Sequence, residues 1–147
     1  MALRVDERDL GRLQPLARGG MAELFDLPDF RIGEHPDWPM VYKRFKRAVR
    51  PVPVFGLEAL VKLRDGLHPD QQKAMDQQFN WMLRVVVDDQ PGAAGILLPR
   101  LNGTYFAKKY NSYGEVSEKP NEAQNLTATD VFFQRWRTAK DWYQEFR

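Results

Sequence analysis

Two adjacent glycines, Gly19 and Gly20, separate two short apolar runs near the beginning of the chain. A phosphate group can approach a backbone closely only where side chains are absent, so this pair is a candidate phosphate-covering loop. A glycine pair between two strands is more often a plain hairpin turn. The residues farther along the chain are therefore needed to choose between the two interpretations.

A lysine in an apolar strand and a glutamate in a helix are the next charged residues in notable positions. The alternation over residues 40–46 places Val41, Lys43 and Phe45 on one face of a strand. An isolated strand lysine usually carries its ammonium group to solvent along an apolar surface, which is the simpler interpretation of Lys43. Glu58 falls in the first turn of the next predicted helix, where a carboxylate also complements the helix dipole.

Short strands and two helices must position these residues. Hydrophobic alternation bounded by turn signals predicts strands over residues 13–17, 23–27, 40–46, 81–87 and 93–98. Helical spacing of apolar residues predicts helices over residues 55–67 and 69–79, the second opened by Pro69. Residues 31–39 are expected to form a loop, and residues 1–12 a polar lead-in with a short helical turn.

The C-terminal residues combine an irregular stretch with an aromatic helix. Little periodicity is visible over residues 102–126, which predicts a connector with a short helix at residues 105–110. Residues 127–147 are expected to form an amphipathic helix. Its aromatic side chains at helical spacing are Phe132, Trp136, Tyr143 and Phe146. A helix that is aromatic on more than one side favours a protein partner or self-association through these residues.

Composition excludes several classes of function. The chain of 147 residues contains no cysteine, which rules out disulfides, thiolate catalysis and zinc–thiolate sites and suits a reducing cytoplasm. A formal net charge of +2 is too small to indicate a nucleic acid or an anionic membrane as partner. No apolar segment is long enough to span a bilayer, and the charged start lacks the apolar run of a signal peptide. We therefore expect a cytoplasmic protein without nucleic-acid or membrane partners.

The histidines and the basic run offer little further chemistry. His35 and His68 each lie beside a proline in a predicted turn, where a lone histidine is usually solvated. Residues 43–50 are rich in lysine and arginine and could bind phosphate or an acidic partner, although a solvated face is the simpler interpretation. We assign no metal ligand and no catalytic residue.

The order of elements and several short motifs resemble the N-terminal lobe of bacterial Ser/Thr protein kinases. Residues 18–25, Arg-Gly-Gly-Met-Ala-Glu-Leu-Phe, look like the glycine-rich loop of that family. Residues 41–43, Val-Tyr-Lys, occupy the place of the family's Val-Ala-Ile-Lys motif, and residues 81–100 are similar to the two strands that run into the hinge. The resemblance covers residues 13–101. It implies an α+β fold with an antiparallel five-stranded sheet and one or two helices, to which the C-terminal aromatic helix is added.

The resemblance implies roles for five residues on the phosphate side of an ATP site. The backbone N–H groups of Gly19, Gly20 and Met21 would cover the phosphates. Lys43 would contact the α- and β-phosphates, and Glu58 is the candidate for the helix glutamate that holds this lysine in place.

It also implies an adenine side and shows where this chain departs from the family. Leu16 and Val41 would sandwich the adenine ring, and Leu98 with its neighbours would offer backbone groups to it. Ala17 and Ala22 stand where the first and third loop glycines of the family fall, which predicts a stiffer loop. Val41 replaces the small alanine that makes room for adenine.

The catalytic half of the kinase pattern does not follow in this sequence. Neither a His-Arg-Asp loop with its downstream asparagine nor an Asp-Phe-Gly motif occurs, so the sequence offers no catalytic aspartate and no magnesium ligand. We expect no phosphotransfer from residues 1–147 alone, and magnesium only where such a chain continues into a C-terminal lobe.

Three functional hypotheses follow from the sequence. In the first, residues 1–101 are a kinase-like lobe that binds ATP, either a fragment of a Ser/Thr kinase or a pseudokinase. In the second, the same fold is a non-enzymatic interaction or regulatory module that acts through the helix at residues 127–147. In the third, the chain is a small α+β protein with a glycine hairpin and no kinase relationship. All three describe a single compact domain, in which residues 102–126 are the connector.

Overall fold

The computed structural model describes residues 3–100 and, as backbone only, two strands at residues 106–110 and 116–120. By its contacts the chain divides into two compact units, Met1–Arg100 and Leu101–Arg147. The helix predicted over residues 127–147, together with its aromatic side chains, lies outside the described residues. The candidate site belongs to the first unit.

The first unit contains six strands and two α-helices in its described residues. In chain order they are β1 (Arg4–Asp6), β2 (Gln14–Arg18), β3 (Ala22–Leu27), β4 (Met40–Phe45), α1 (Val54–Asp65), α2 (Pro69–Gln78), β5 (Arg84–Val87) and β6 (Ala93–Pro99). Two short 3-10 helices, Glu7–Leu10 and Arg47–Val49, follow β1 and β4. The α+β class expected from the sequence is therefore confirmed, and most element bounds agree within a few residues.

The six strands form one sheet in the order β1-β5-β6-β4-β3-β2. The pairs β2–β3, β3–β4, β4–β6 and β6–β5 are all antiparallel, which agrees with the antiparallel arrangement expected for these five strands. The sixth strand, β1, lies parallel to β5 at the sheet edge. The expectation of a polar lead-in over residues 1–12 is wrong for this strand, whereas the short helical turn expected there is present as the 3-10 helix Glu7–Leu10. A three-residue strand is too short to show alternation, and it forms only through pairing with a distant strand.

The helices begin where local sequence signals place them. α1 follows Pro53, and α2 begins at Pro69, whose missing N–H is no loss at the first helical position. The His68 ring caps α2 by accepting a hydrogen bond from the Asp70 N–H, so this histidine has a structural role. No helix in the described residues is both long and apolar enough to cross a membrane.

The described part of the second unit is a two-stranded antiparallel sheet, β7 (Phe106–Tyr110) and β8 (Val116–Pro120). The short helix predicted at residues 105–110 is therefore wrong, and the region predicted as a connector contains two paired strands. The sequence Phe-Ala-Lys-Lys-Tyr carries apolar residues at both ends, four positions apart, which fits a helical turn as well as a strand. The pairing of this segment with β8 favours the strand over the helix.

The core of the first unit covers both faces of its sheet. On one face, buried side chains from the sheet pack with the lead-in and with the loop between β3 and β4. That cluster includes Leu10, Leu27, Ile32, Met40, Tyr42 and Leu97. On the other face, Val61 of α1 packs with Val85 and Ala93. Burial of each large apolar side chain stabilises the fold by about 1.5–3 kcal/mol. Because Met40 and Tyr42 of β4 belong to this core, the central strand is firmly held.

Tyr42 lies in the centre of this core, and its side chain is fully buried. Its hydroxyl has no hydrogen-bond partner among the described residues. Burial raises the pKa of its phenol well above the ordinary value. Because a buried, unpaired hydroxyl costs about 1–3 kcal/mol, Tyr42→Phe is expected to increase the free energy of unfolding by about 1 kcal/mol. Urea denaturation measures the change. Tyr42→Leu is the control, because it removes the ring that packs against Phe25 and should destabilise. A less stable Tyr42→Phe variant would contradict the prediction.

Candidate functional site

Pairing of β4 with both neighbouring strands brings several predicted site residues together. Val41 lies opposite Leu98 of β6, and Lys43 lies between Leu24 of β3 and Ile96 of β6. Alternate residues of a strand share a face, so Val41 and Lys43 lie on the same side of the sheet. Val41, Ile96 and Leu98 are at most 9% exposed, whereas Lys43 is partly exposed. This face therefore presents one ammonium group in apolar surroundings.

The glycine turn lies close to Lys43. The Gly19 N–H donates to the Ala22 carbonyl at 2.8 Å and closes the turn between β2 and β3. Ala22 pairs with Phe45, two residues along β4 from Lys43. Two residues span about 7 Å along a strand. The row of Ala22 and Phe45, at which the turn closes, therefore lies about 7 Å from the row of Leu24 and Lys43.

The fold gives no reason for glycine at either position of the turn. Neither Gly19 nor Gly20 has a positive φ. Among the described residues, a Cβ at Gly20 would meet nothing within 4 Å, and a Cβ at Gly19 would make one ordinary contact of 3.6 Å with the Ala22 carbonyl oxygen. A glycine pair that neither conformation nor packing requires is consistent with a ligand that comes close to the backbone.

Leu16 and Met21 flank this region. The register of β2 and β3 shifts between Pro15 and Ala17, so Leu16 occupies a β-bulge and is half-buried. Met21 is 66% exposed, and its carbonyl accepts a hydrogen bond of 3.0 Å from the N–H of Lys46. Their contact with a nucleotide stays a prediction.

Glu58 is not brought to Lys43 in this structure. Its carboxylate forms an ion pair with Arg4 of β1, and the hydrogen bond from Arg4 lowers the pKa of Glu58 below its ordinary value. Within the part of the chain that the structure describes, the Lys43 side chain forms no hydrogen bond and no ion pair. The lysine–glutamate pair implied by the resemblance is therefore not formed. The competing cation belongs to β1, the strand that the sequence did not reveal.

A buried cluster of charged side chains escaped the sequence analysis altogether. Arg64 of α1 and Asp76 of α2 are both fully buried and joined by two hydrogen bonds of 2.7 and 2.6 Å. His35 lies 2.5 Å from the same carboxylate through its Nε2 atom, and its ring stacks on Trp38. The expectation that His35 is solvated is therefore wrong, because its side chain is only 11% exposed.

This charged cluster connects the β3–β4 loop to both helices and to β5. Glu34 accepts hydrogen bonds from Arg64 at 3.1 Å and from Arg84 at 2.8 Å. Burial acts to raise the pKa of Asp76, but the hydrogen bonds from Arg64 and His35 outweigh it and hold that pKa below its ordinary value. The one sequence signal was Arg64 itself, three positions after the apolar Val61 and thus on the inner side of α1.

Comparisons of the chain with protein-family models, curated proteins and solved structures returned no match. Among the described residues, no group of three or more His, Cys, Asp or Glu side chains is placed to hold a metal ion. A function for this protein must therefore be inferred from the arrangement of the glycine turn, Lys43 and the apolar face around it.

Proposed function

We propose that residues 3–100 form a nucleotide-binding lobe of the kinase type, as a fragment of a cytoplasmic Ser/Thr kinase or as a pseudokinase. The observation that carries the proposal is the placement of the glycine turn beside Lys43, on strands whose shared face also holds Val41 and Leu98. The proposed activity is binding of ATP. Transfer of the phosphate is not proposed for this chain, because the sequence has no catalytic aspartate.

Lys43 is the residue proposed to meet the phosphates. It is a partly buried cation that has no carboxylate partner among the described residues, and it is flanked by the apolar Leu24 and Ile96. A phosphate oxygen would supply the charge-assisted hydrogen bonds that the described protein groups do not. The exposed backbone of Gly19 and Gly20 would approach the same phosphates from the neighbouring turn.

The adenine is proposed to lie against the apolar part of the same face. Val41 and Leu98 are directly opposite each other across β4 and β6, and Leu16 lies in the bulge of β2. Glu58 remains with Arg4 in this arrangement, so Lys43 acts without a glutamate partner. We therefore propose weaker nucleotide binding than a complete lysine–glutamate pair would support.

Lys43→Ala is expected to abolish the stabilisation of the protein by ATP. A ligand that binds only the folded state at about 100 times its Kd adds about 2.7 kcal/mol, which raises Tm by several degrees. Thermal unfolding of the full chain with millimolar ATP and Mg²⁺ measures this effect. Lys62→Ala is the matched control, because Lys62 is an exposed lysine of α1 outside the proposed site.

Thermal unfolding without ATP shows whether the Lys43→Ala substitution itself changes the stability of the fold. Because the Lys43 side chain makes no hydrogen bond within the described residues, Lys43→Ala should unfold at the parent's temperature when no ATP is present. An ATP-dependent rise in Tm of equal size in the parent and in Lys43→Ala would refute the assignment of this residue. The absence of any ATP effect in the parent would refute nucleotide binding itself.

A non-enzymatic interaction module is the second candidate, and exposed apolar side chains favour it. Phe55 and Leu63 of α1 are 83% and 59% exposed, and Phe79 at the end of α2 is 60% exposed. Large apolar groups on a surface are typical of contacts with another protein. The aromatic residues predicted to mediate such a contact, at 132–146, lie outside the described residues. If ATP has no effect on the parent protein, this candidate becomes the better account.

A further inference from the structure

An open cleft of about 570 Å³ lies at the end of the sheet where β4 leaves it. Its walls come from the end of β4 with the chain that follows, from the start of β3, and from the turn between β5 and β6. The volume falls in the range of about 300–1,000 Å³ that is common for ligand sites. None of the residues proposed to contact the nucleotide is among those that line the cleft.

The cleft is lined by four basic side chains, Arg44, Lys46, Arg47 and Arg50. Two of them are paired with carboxylates. Arg44 lies 2.9 Å from Glu7, and the guanidinium of Arg50 donates two hydrogen bonds of 2.7 Å to Asp88. Lys46 and Arg47 form no side-chain hydrogen bond or ion pair within the described residues. The lining also includes the carboxylate of Glu23, which lies 3.5 Å from Arg18. The cleft therefore carries two cations that have no carboxylate partner among the described residues.

The wall beside these two cations is already ordered. Arg50 holds Asp88 at the beginning of the β5–β6 turn, and the Gln90 N–H donates a hydrogen bond of 3.0 Å to the same carboxylate. The hydrogen bond from Arg50 lowers the pKa of Asp88 below its ordinary value, which keeps the pair charged. A preformed wall reduces the entropy that a ligand must lose on binding.

We propose that this cleft binds a short acidic peptide segment that also carries an apolar side chain. Lys46 and Arg47 supply charge for carboxylates, while Phe45, Pro51 and Pro91 give the cleft an apolar wall. A single inorganic anion would fill only a small part of about 570 Å³. A formal net charge of +2 for the chain speaks against the extended basic surface that nucleic acid requires.

Fluorescence anisotropy with a labelled, glutamate-rich peptide that contains one phenylalanine tests the proposal on the full chain. The double variant Lys46→Gln/Arg47→Gln is expected to bind about tenfold or more weakly, because two charge-assisted contacts are lost. The double variant Lys62→Gln/Lys73→Gln removes two exposed lysines from the helices and should bind within about twofold of the parent. Lys43→Ala should also bind the peptide normally, which separates this proposal from nucleotide binding.

Three results would overturn the proposal. The first is no binding of the peptide by the parent at low salt, and the second is an equal loss in both double variants, which would indicate a diffuse charge effect. The third is binding of pyrophosphate that depends on Lys46 and Arg47 while the peptide does not bind, which would assign the cleft to a small anion. Arg47→Gln alone, at an exposed position, replaces the double variant if that variant does not fold.

Discussion

Asp76→Ala is expected to lower the free energy of unfolding of the first unit by about 3–5 kcal/mol. The side chains of Asp76 and Arg64 are fully buried, and their two hydrogen bonds are 2.7 and 2.6 Å long. Removal of the Asp76 carboxylate takes away one of the negative charges that balance the buried guanidinium of Arg64. Glu34 and Asp65 still accept hydrogen bonds from Arg64 at 3.1 Å, which places the effect near the lower end of the range.

Urea denaturation followed by tryptophan fluorescence measures this effect. The matched control is Asp37→Asn, because Asp37 is an exposed aspartate in the loop that also carries His35. A substitution at an exposed position without partners changes stability by about 0.5 kcal/mol or less. Similar losses in both variants would show that the buried pair contributes nothing specific.

Acid unfolding provides a second readout of the same group. The pKa of Asp76 in the folded protein lies below the ordinary value of about 3.9. Its stabilisation is therefore fully present above that pH and is lost as the pH falls through the folded-state pKa. Below about pH 4, the parent should lose stability more steeply than Asp76→Ala. Parallel curves for the two proteins would contradict this assignment.

Gly95→Ala is expected to destabilise the first unit by about 3 kcal/mol or more. Gly95 lies in β6 opposite Arg44 of β4. A Cβ at this position would overlap the Lys43 carbonyl oxygen and lie 2.6 Å from Cε2 of Tyr42. Neither neighbour can yield easily, because one is backbone in a central strand and the other is a fully buried ring. Displacement of β4 would also move Lys43, so the proposed stabilisation by ATP should decrease.

Gly56→Ala is the control for this substitution, and its expected effect has the opposite sign. Gly56 lies in α1, and a Cβ there would meet nothing within 4 Å among the described residues. Alanine in place of a helical glycine stabilises by about 0.5–1 kcal/mol. Thermal or urea unfolding of both variants gives the comparison. A Gly95→Ala protein as stable as the parent would show that β4 and β6 are less closely packed than this structure has them.

Local sequence pattern predicted much of the scaffold and part of the candidate site. Alternation over residues 40–46 placed Val41 and Lys43 on one face, and the β4 pairings agree with that placement. The turn at Gly19 also appears where two apolar runs bracket it. These features depend on neighbouring residues only, because the two-residue period of a strand and the demands of a turn are local properties of the backbone.

Only the tertiary structure decided which charged residues meet. Glu58 binds Arg4, 54 positions away, instead of Lys43, and Asp76 joins His35 across 41 positions. No periodicity specifies such pairs, since each depends on where the sheet places its edge strand and how the loop folds onto the helices. By itself the sequence determined β2 to β6, both helices of the first unit and the shared face of Val41 and Lys43, but not β1, β7 or β8. The long-range ion pairs were decided by the packing of whole elements, which brings together groups that share no local pattern.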